Sequence, residues 1–429
     1  MFETFILVEA GRNGYARKIL GVTRLGRILG ELAGLGITRV NVVCEIDARR
    51  VERVVADEIP SSIEVAYITC RAGGAFETAL SKAAYSGHGL ICIAADLVVS
   101  RDFLEGVLTA PAGDRPLAFG WPDRALKISA AAIGKIAWRA PLKSRINLPG
   151  VEIVPGGGLC SRVSNRYELK RAKRVLLDGL RKPVEIDGLV GYHVMRPVTL
   201  KIVGLLARTR LLPNHLTIIS MLIGLAGAAM VALGDMALAA AGAGLYFAAC
   251  FFDCLDGELA RLKYKHSYLG AWLDTLSDDI QTFFFTGAMG VYLMRQGGGD
   301  IYLALALVSM MIFALSQAYI YYQLHTVAHS GDLMDFQFAW DRKAGGSFGA
   351  GAFALLKYAI KRDFFTTLFF ALFLAGAIWL ALALVFASCI GFALAILYHI
   401  YLKNRERWAS GEAMAEVLPK KKLADGSRA

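Results

Sequence analysis

Two hydrophobic patterns divide the chain. Up to about residue 190, short apolar runs alternate with segments whose apolar residues recur every three or four positions. FETFILVEA (2–10) predicts a buried strand, LGRILGELAGLG (25–36) a helix and TRVNVVCEI (38–46) a second strand. HGLICIAADLVVS (88–100) predicts another strand ending at Asp96, and ELKRAKRVLLDGL (168–180) a closing helix. Strand, helix, strand in this rhythm predicts a mostly parallel sheet covered by helices.

Beyond residue 190 the pattern changes. RKPVEIDGLVGYH (181–193) leads into RPVTLKIVGLLARTR (196–210), an apolar stripe interrupted by Arg196, Lys201, Arg208 and Arg210. That pattern predicts a helix lying in the headgroup plane with its cations toward phosphates. Pro213-Asn214 ends it, and long apolar runs with few charges follow at 215–233, 236–261, 269–294, 300–324, 363–377 and 379–402. Roughly 20 apolar residues cross a bilayer core, so these predict six transmembrane helices, the fifth of them short. The organisation expected is residues 1–190 as a soluble α/β domain, 191–213 as an interfacial juxtamembrane helix, 214–403 as an all-α transmembrane domain and 404–429 as a basic tail.

Composition agrees with a membrane component: 56% of the 429 residues are hydrophobic, and mean hydropathy is +0.48. The formal charge is +11, but the basic residues flank apolar spans, which points to anionic lipid headgroups and away from nucleic acid. With the soluble domain in the cytosol, the outward loops near 234–235, 295–299 and 376–378 hold one basic residue, Arg295. The inward segments hold Lys263, Lys265, Arg342, Lys343, Lys357, Lys361, Arg362 and the 403–422 stretch. The positive-inside rule then places both termini and the acidic cluster described next on the cytosolic face of the inner membrane. Seven cysteines without a CxxC pair give neither a disulfide framework nor a zinc site, and the N-terminus lacks the basic flank and apolar core of a signal peptide.

The chemistry concentrates in DCLDGELARLKYKHSYLGAWLDTLSD, residues 253–278. On helices, Asp253 and Asp256 share one face, and so do Asp274 and Asp278. The short KYKHSYLG connection makes the two helices antiparallel neighbours, so all four carboxylates can converge at one end of the bundle. Gathered anions at a membrane face need compensating cations, and hard oxygen ligands without Cys or His favour Mg²⁺, Mn²⁺ or Ca²⁺. Gly257, Ala260 and Gly270 leave room for a bulky ligand, and Arg261 offers a cation to a phosphate. Asp279 points about 100° away and is expected to be a bystander. His325 and His329 lack a nearby third ligand and are expected to be structural. Lys361 and Arg362 are candidates for holding an anionic acceptor. A cation pathway is the competing use of intramembrane acids, but the later spans carry few charges.

These residues match the signature D-x2-D-G-x2-A-R-x8-G-x3-D-x3-D, complete here as Asp253, Asp256, Gly257, Ala260, Arg261, Gly270, Asp274 and Asp278. The segment is similar to the CDP-alcohol phosphotransferases, and LLPNHLT resembles the start of that family's first span. The resemblance covers about residues 190–405. It implies a homodimeric six-helix membrane enzyme that transfers a substituted phosphate from a CDP-linked donor, CDP-diacylglycerol or another CDP-alcohol, to an alcohol or alcohol-phosphate acceptor with release of CMP. It further implies two ions, Mg²⁺ or Mn²⁺, held by Asp253, Asp256, Asp274 and Asp278. Asp278 would also be the general base, and Gly257, Ala260, Arg261 and Gly270 would receive the CMP portion.

The first half resembles sugar-phosphate nucleotidyltransferases, a Rossmann-like α/β fold, in FILVEAGRNGYARKILGVTRLGRILGELAGLGITRVNVV and in AADLVVSRDFLEGVL. Lys18 and Asp96 would be its nucleotide- and metal-binding residues. The layout is similar to bifunctional inositol-1-phosphate cytidylyltransferase/di-inositol-phosphate-phosphate synthases, whose soluble half makes the CDP-alcohol from CTP. The loop around Gly11, Arg12, Asn13, Gly14, Arg17 and Lys18 is shortened, no Pro precedes Lys18, and Ser164 or Asn165 stands where a second metal-binding Asp is expected. An inactive scaffold is therefore expected over a working cytidylyltransferase.

Overall fold

The computed structural model describes residues 2–9, 13–111, 113, 115–119, 125–135, 152–154, 157–182, 184–188, 190–336, 338 and 362–409. Gly11, Arg12, Arg342, Lys343, Lys357, Lys361 and the tail beyond residue 409 lie outside them. The chain forms two compact units, one made of Met1–Lys182, Arg196–Pro213 and Gly257–His266, the other of Pro183–Met195, Asn214–Asp256 and Ser267–Ala429.

In the first unit, β1 (Phe2–Val8) is followed by a hairpin of β2 (Lys18–Ile19) and β3 (Val22–Thr23), then α1 (Arg24–Gly34), β4 (Arg39–Cys44), α2 (Ala48–Val55), β5 (Glu64–Thr69), α3 (Ala75–Ser86) and β6 (Gly89–Ala94). Next come β7 (Val98–Val99), α4 (Arg101–Thr109), β8 (Leu117–Phe119), β9 (Ala125–Ile128), α5 (Ala130–Lys135), β10 (Glu152–Val154), β11 (Cys160–Ser161) and α6 (Arg166–Asp178). Seven strands form one sheet in the order β10-β8-β9-β6-β1-β4-β5. β1 pairs in parallel with β4 and β6, β4 with β5 and β8 with β10, while β9 runs antiparallel to β6 and β8.

Strand alternation decides the layers. Ile6 and Val8 of β1 face Leu25, Ile28 and Leu29 of α1, Val51 of α2 and Phe103 of α4. Phe5 and Leu7 face Phe76 and Leu80 of α3 and Ile133 of α5. β1 is thus buried on both faces, which is why it reads as a continuous apolar run. Thr23 starts α1 by accepting a hydrogen bond from the Gly26 amide. The parallel sheet and the helices expected at 25–36 and 168–180 are present.

A helix α7 (Val184–Asp187) belongs to the second unit, and α8 (Arg196–Leu206) to the first. Here the structure corrects one expectation. Arg196 does not turn toward headgroups: it is buried, and its Nη1 donates to Glu258 Oε1 at 2.6 Å. Thr199 Oγ1 donates to the same oxygen at 2.7 Å. Glu258 is itself fully buried, so only a cation with hydrogen bonds could accompany it there.

The second unit is a helical bundle of α9 (Pro213–Leu233), α10 (Met236–Lys263, shared with the first unit), α11 (Tyr268–Leu293), α12 (Asp300–Gln323), α13 (Arg362–Leu374) and α14 (Ile378–Ala409). Pro213 opens α9, where its missing N–H costs nothing. α9 and α10 approach closely at Gly227 and Gly242: a Cβ on either would lie 2.5 Å from the other's carbonyl oxygen. Val231, Tyr246, Phe285, Met289, Phe373 and Leu382 fill the centre.

Four segments are long and apolar enough to cross a membrane: Pro213–Leu233, Met236–Lys263, Asp300–Ala328 and Ile378–Arg405. The expected six are not reached among the described residues. α11 carries Asp274, Asp278, Asp279 and Gln281, which lower its hydropathy, and α13 is 13 residues long.

Truncating Phe5, fully buried on the α3 face of the sheet, is expected to destabilise the first unit by about 3–5 kcal/mol. Phe5→Ala should show early loss of amide-exchange protection in β1, β4 and β6. Wild-type protection would contradict this account of the core.

Candidate functional site

The central acids come from two helices whose ends are fixed locally. Ser267 caps α11 by accepting from the Gly270 amide at 2.9 Å, which starts the helix about two turns before Asp274. α10 presents Asp253 and Asp256 on one face. One carboxylate oxygen from each of Asp253, Asp256 and Asp274 can be chosen so that all three lie within 4.8 Å of one another.

Two carboxylates about 4 Å apart repel by about 4 kcal/mol at an effective dielectric near 20. The structure shows how part of this is offset. Thr217 Oγ1, from the first turns of α9, donates to Asp256 Oδ2, and Asp256 is almost fully buried. Arg362, the first residue of α13, places Nη1 against Asp278 and 3.2 Å from Asp253 Oδ2. The neighbouring Asp363 is buried and accepts the Gly191 amide at 2.8 Å, which anchors the start of α13.

Compensation is incomplete. Oδ1 of Asp274 and Oδ1 of Asp278 are both buried and accept no hydrogen bond among the described residues. A buried carboxylate oxygen without a donor is costly, and a divalent cation is the group that satisfies several at once. The all-oxygen donor set suits a hard ion. The residues present therefore fit a divalent metal, and Asp253, Asp256 and Asp274 are the ones that would hold it.

The fourth expected ligand, Asp278, stands one turn beyond Asp274 on α11, outside the three-acid group and engaged by Arg362. Gly257, Ala260 and Arg261 follow Asp256 on α10. A Cβ at Gly257 would meet only the Arg261 Nη1, at 3.5 Å, so that face is open. A Cβ at Gly270 would lie 2.9 Å from Ser267 Oγ and 3.2 Å from Asn214 Oδ1, which requires glycine there.

Asp279 is no bystander to the fold, because its Oδ2 accepts from Gln317 Nε2 and the Tyr321 hydroxyl of α12. His325 has a ring nitrogen 3.4 Å from the Tyr268 hydroxyl, and His329 ends its helix in a left-handed conformation. Both agree with structural roles. The sequence reading missed Thr217, although it lies inside the LLPNHLT segment. It also missed the Glu258 pair, because a lone Glu in a basic, apolar stretch carries no signal of its partner.

In the α/β unit the crevice at the C-terminal ends of β1 and β6 is where a doubly wound sheet takes ligands. Asp96 lies there, but its Oδ2 is in an ion pair with Arg162, 2.9 Å from Nε, and its backbone carbonyl accepts from Arg24 Nη1 at 2.7 Å. Lys18 pairs instead with Glu58 at 3.3 Å. Ser164 donates to Glu168 Oε2, and Asn165 Oδ1 accepts the Glu168 amide as the N-cap that starts α6. Lys18, Asp96, Ser164 and Asn165 thus each have a partner within the fold.

Residues 210–387 match the family model for CDP-alcohol phosphatidyltransferase. Among curated proteins, the chain is 33% identical over 116 residues to a bifunctional IPC transferase and DIPP synthase of Thermococcus kodakarensis, covering 27% of this chain and 26% of that protein. A protein of the same description from Aquifex aeolicus is 31% identical over 152 residues, 35% of this chain and 34% of its own. One from Archaeoglobus fulgidus is 29% identical over 153 residues, 34% and 30%. The matches thus span about a quarter to a third of each relative's length. Over residues 210–387, with all four signature aspartates inside the matched stretch, the chain carries a domain of the CDP-alcohol phosphatidyltransferase family.

Proposed function

We propose that the protein transfers a substituted phosphate from a CDP-linked donor to an alcohol and releases CMP, in phospholipid or phosphodiester synthesis. The observation that carries this reading is the three-acid group with its orphaned Asp274 oxygen, set inside the family-matched segment. Asp253, Asp256 and Asp274 hold divalent metal, two ions of Mg²⁺ or Mn²⁺. A metal held there would supply positive charge to the pyrophosphate and to the departing CMP. Gly257, Ala260, Arg261 and Gly270 receive the CMP portion.

Asp278, with an unsatisfied Oδ1, takes the proton from the acceptor hydroxyl. The hydroxyl oxygen then attacks the phosphorus on the alcohol side of the donor. One P–O bond forms, the bond to the CMP oxygen breaks, and the proton stays on Asp278 until solvent removes it. Arg362, which pairs with Asp278, is proposed, together with Lys361, to hold an anionic acceptor such as an alcohol phosphate. The basic residues that flank the spans support a cytoplasmic-membrane location with both termini in the cytosol, in contact with anionic lipids, and the family resemblance supports a homodimer.

The relatives' names carry two activities. The Asp96–Arg162 pair supports assigning the transfer alone to this chain, with the CDP-linked donor made by a separate CTP-consuming enzyme.

Purified protein in detergent with Mn²⁺ is expected to release CMP from CDP-diacylglycerol or CDP-inositol with one of a panel of alcohol acceptors. Asp278→Asn should lower the rate by at least about a hundredfold. Metal-dependent release undiminished in that variant would remove Asp278 as the base. Calorimetric titration with Mn²⁺ should show Asp274→Asn losing the site. Thr217→Val, which strips a hydrogen bond from a metal-binding acid, should weaken it by about ten- to a hundredfold. Unchanged affinity in both variants would place the ion elsewhere.

A further inference from the structure

Between the two signature helices the chain turns through residues 264–267. Tyr264 adopts a left-handed backbone, φ +55°, which a residue with a bulky side chain avoids unless its surroundings impose it. Those surroundings belong to α1. The tyrosine ring lies over Gly30, where a Cβ would stand 2.4 Å from its Cγ, so that only glycine admits it. The hydroxyl donates to Glu31 Oε1 and accepts from Arg27 Nη1 at 3.3 Å. The Arg27 guanidinium also sits 5.7 Å from the ring centre, and its Nη2 is fixed on the Ile19 carbonyl at 2.8 Å. Desolvation raises the hydroxyl's pKa.

The seat is local. A cavity of about 700 Å³ opens beside it, lined among others by Arg27, Glu31, Tyr264 and His266. One residue earlier, Lys263 Nζ donates to the carbonyls of Thr209 and Leu211. The turn is therefore fixed at adjacent residues while the rest of it is exposed.

We infer that Tyr264 and its seat on α1 are positioning elements for the membrane acids: by fixing the turn, the α/β unit keeps Asp253 and Asp256 of α10 in register with Asp274 of α11. A helix advances 1.5 Å per residue, whereas metal ligation tolerates about 0.2 Å and reacting groups misplaced by about 1 Å lose about a hundredfold in rate. A turn free to slip would spoil the three-acid group without touching any of its side chains. This gives the α/β unit a task that needs no nucleotide chemistry of its own. The kinetic half of the inference rests on the transfer reaction proposed above; the metal-binding half does not.

The test uses the full chain in detergent and three variants remote from the acids: Tyr264→Ala, Gly30→Val and Tyr264→Phe. Mn²⁺ affinity is read by electron paramagnetic resonance, and kcat and KM from CMP release. Tyr264→Ala and Gly30→Val are each expected to weaken Mn²⁺ binding about tenfold and to lower kcat with little change in donor KM. The two together should do no more than either alone, because they remove the same contact. Tyr264→Phe, which keeps the ring in its seat and spares folding, should lie between them and wild type. Wild-type Mn²⁺ affinity in all three would overturn the inference. A Mn²⁺ response without CMP release from any donor would uphold the positioning role and sink the transfer reading instead.

Discussion

Three carboxylates brought to within 4.8 Å of one another by apolar helices are the constraint to which the rest of the bundle answers. Left alone they would push α10 and α11 apart and draw water between them. Thr217 supplies a donor to one acid, and Arg362 supplies a positive charge shared by Asp253 and Asp278. What these leave over, a bare oxygen on Asp274 and another on Asp278, is what a divalent cation would satisfy. Stability and chemistry thus make opposite demands on the same residues, and the partly compensated state is the one able to bind metal.

The surroundings hold that arrangement from behind. Arg196 and Thr199 of α8 grip Glu258, which lies on the side of α10 away from Asp253 and Asp256. Breaking a buried pair of this kind by removing one partner costs about 3–5 kcal/mol, so it fixes which way the helix faces. Asp279 does the same for α11 through Gln317 and Tyr321. Close approach at Gly227 and Gly242 brings Thr217 within reach of Asp256 by letting α9 pack tightly on α10. Polar pairs set orientation here, and small residues set distance.

Much of this was legible in the sequence, for identifiable reasons. A strand buried on both faces, such as β1, shows itself as an unbroken apolar run, and α1 shows its helical spacing. The acids were legible because helical geometry ties spacing to facing, so Asp253 and Asp256 had to share a face. Long-range partners were not legible. Arg196 sits in a stripe that reads as interfacial, and only the tertiary fold brings Glu258 to it. Arg362 reads as a flank of a span, with nothing in its neighbourhood to announce two acids more than eighty residues upstream. Of the six expected spans, α11 and α13 do not stand out by length and composition among the described residues, α11 because it carries polar residues and α13 because it is short. Asp96 stands just past the end of β6, and its ion-pair partner Arg162, 66 residues downstream, was not legible either.

The most direct measurement is anomalous diffraction from crystals of the full chain grown with Mn²⁺. The account predicts a manganese peak within coordinating distance of carboxylate oxygens from Asp253, Asp256 and Asp274 together. A peak bound by other residues, or three acids splayed apart around no metal at saturating Mn²⁺, would contradict it.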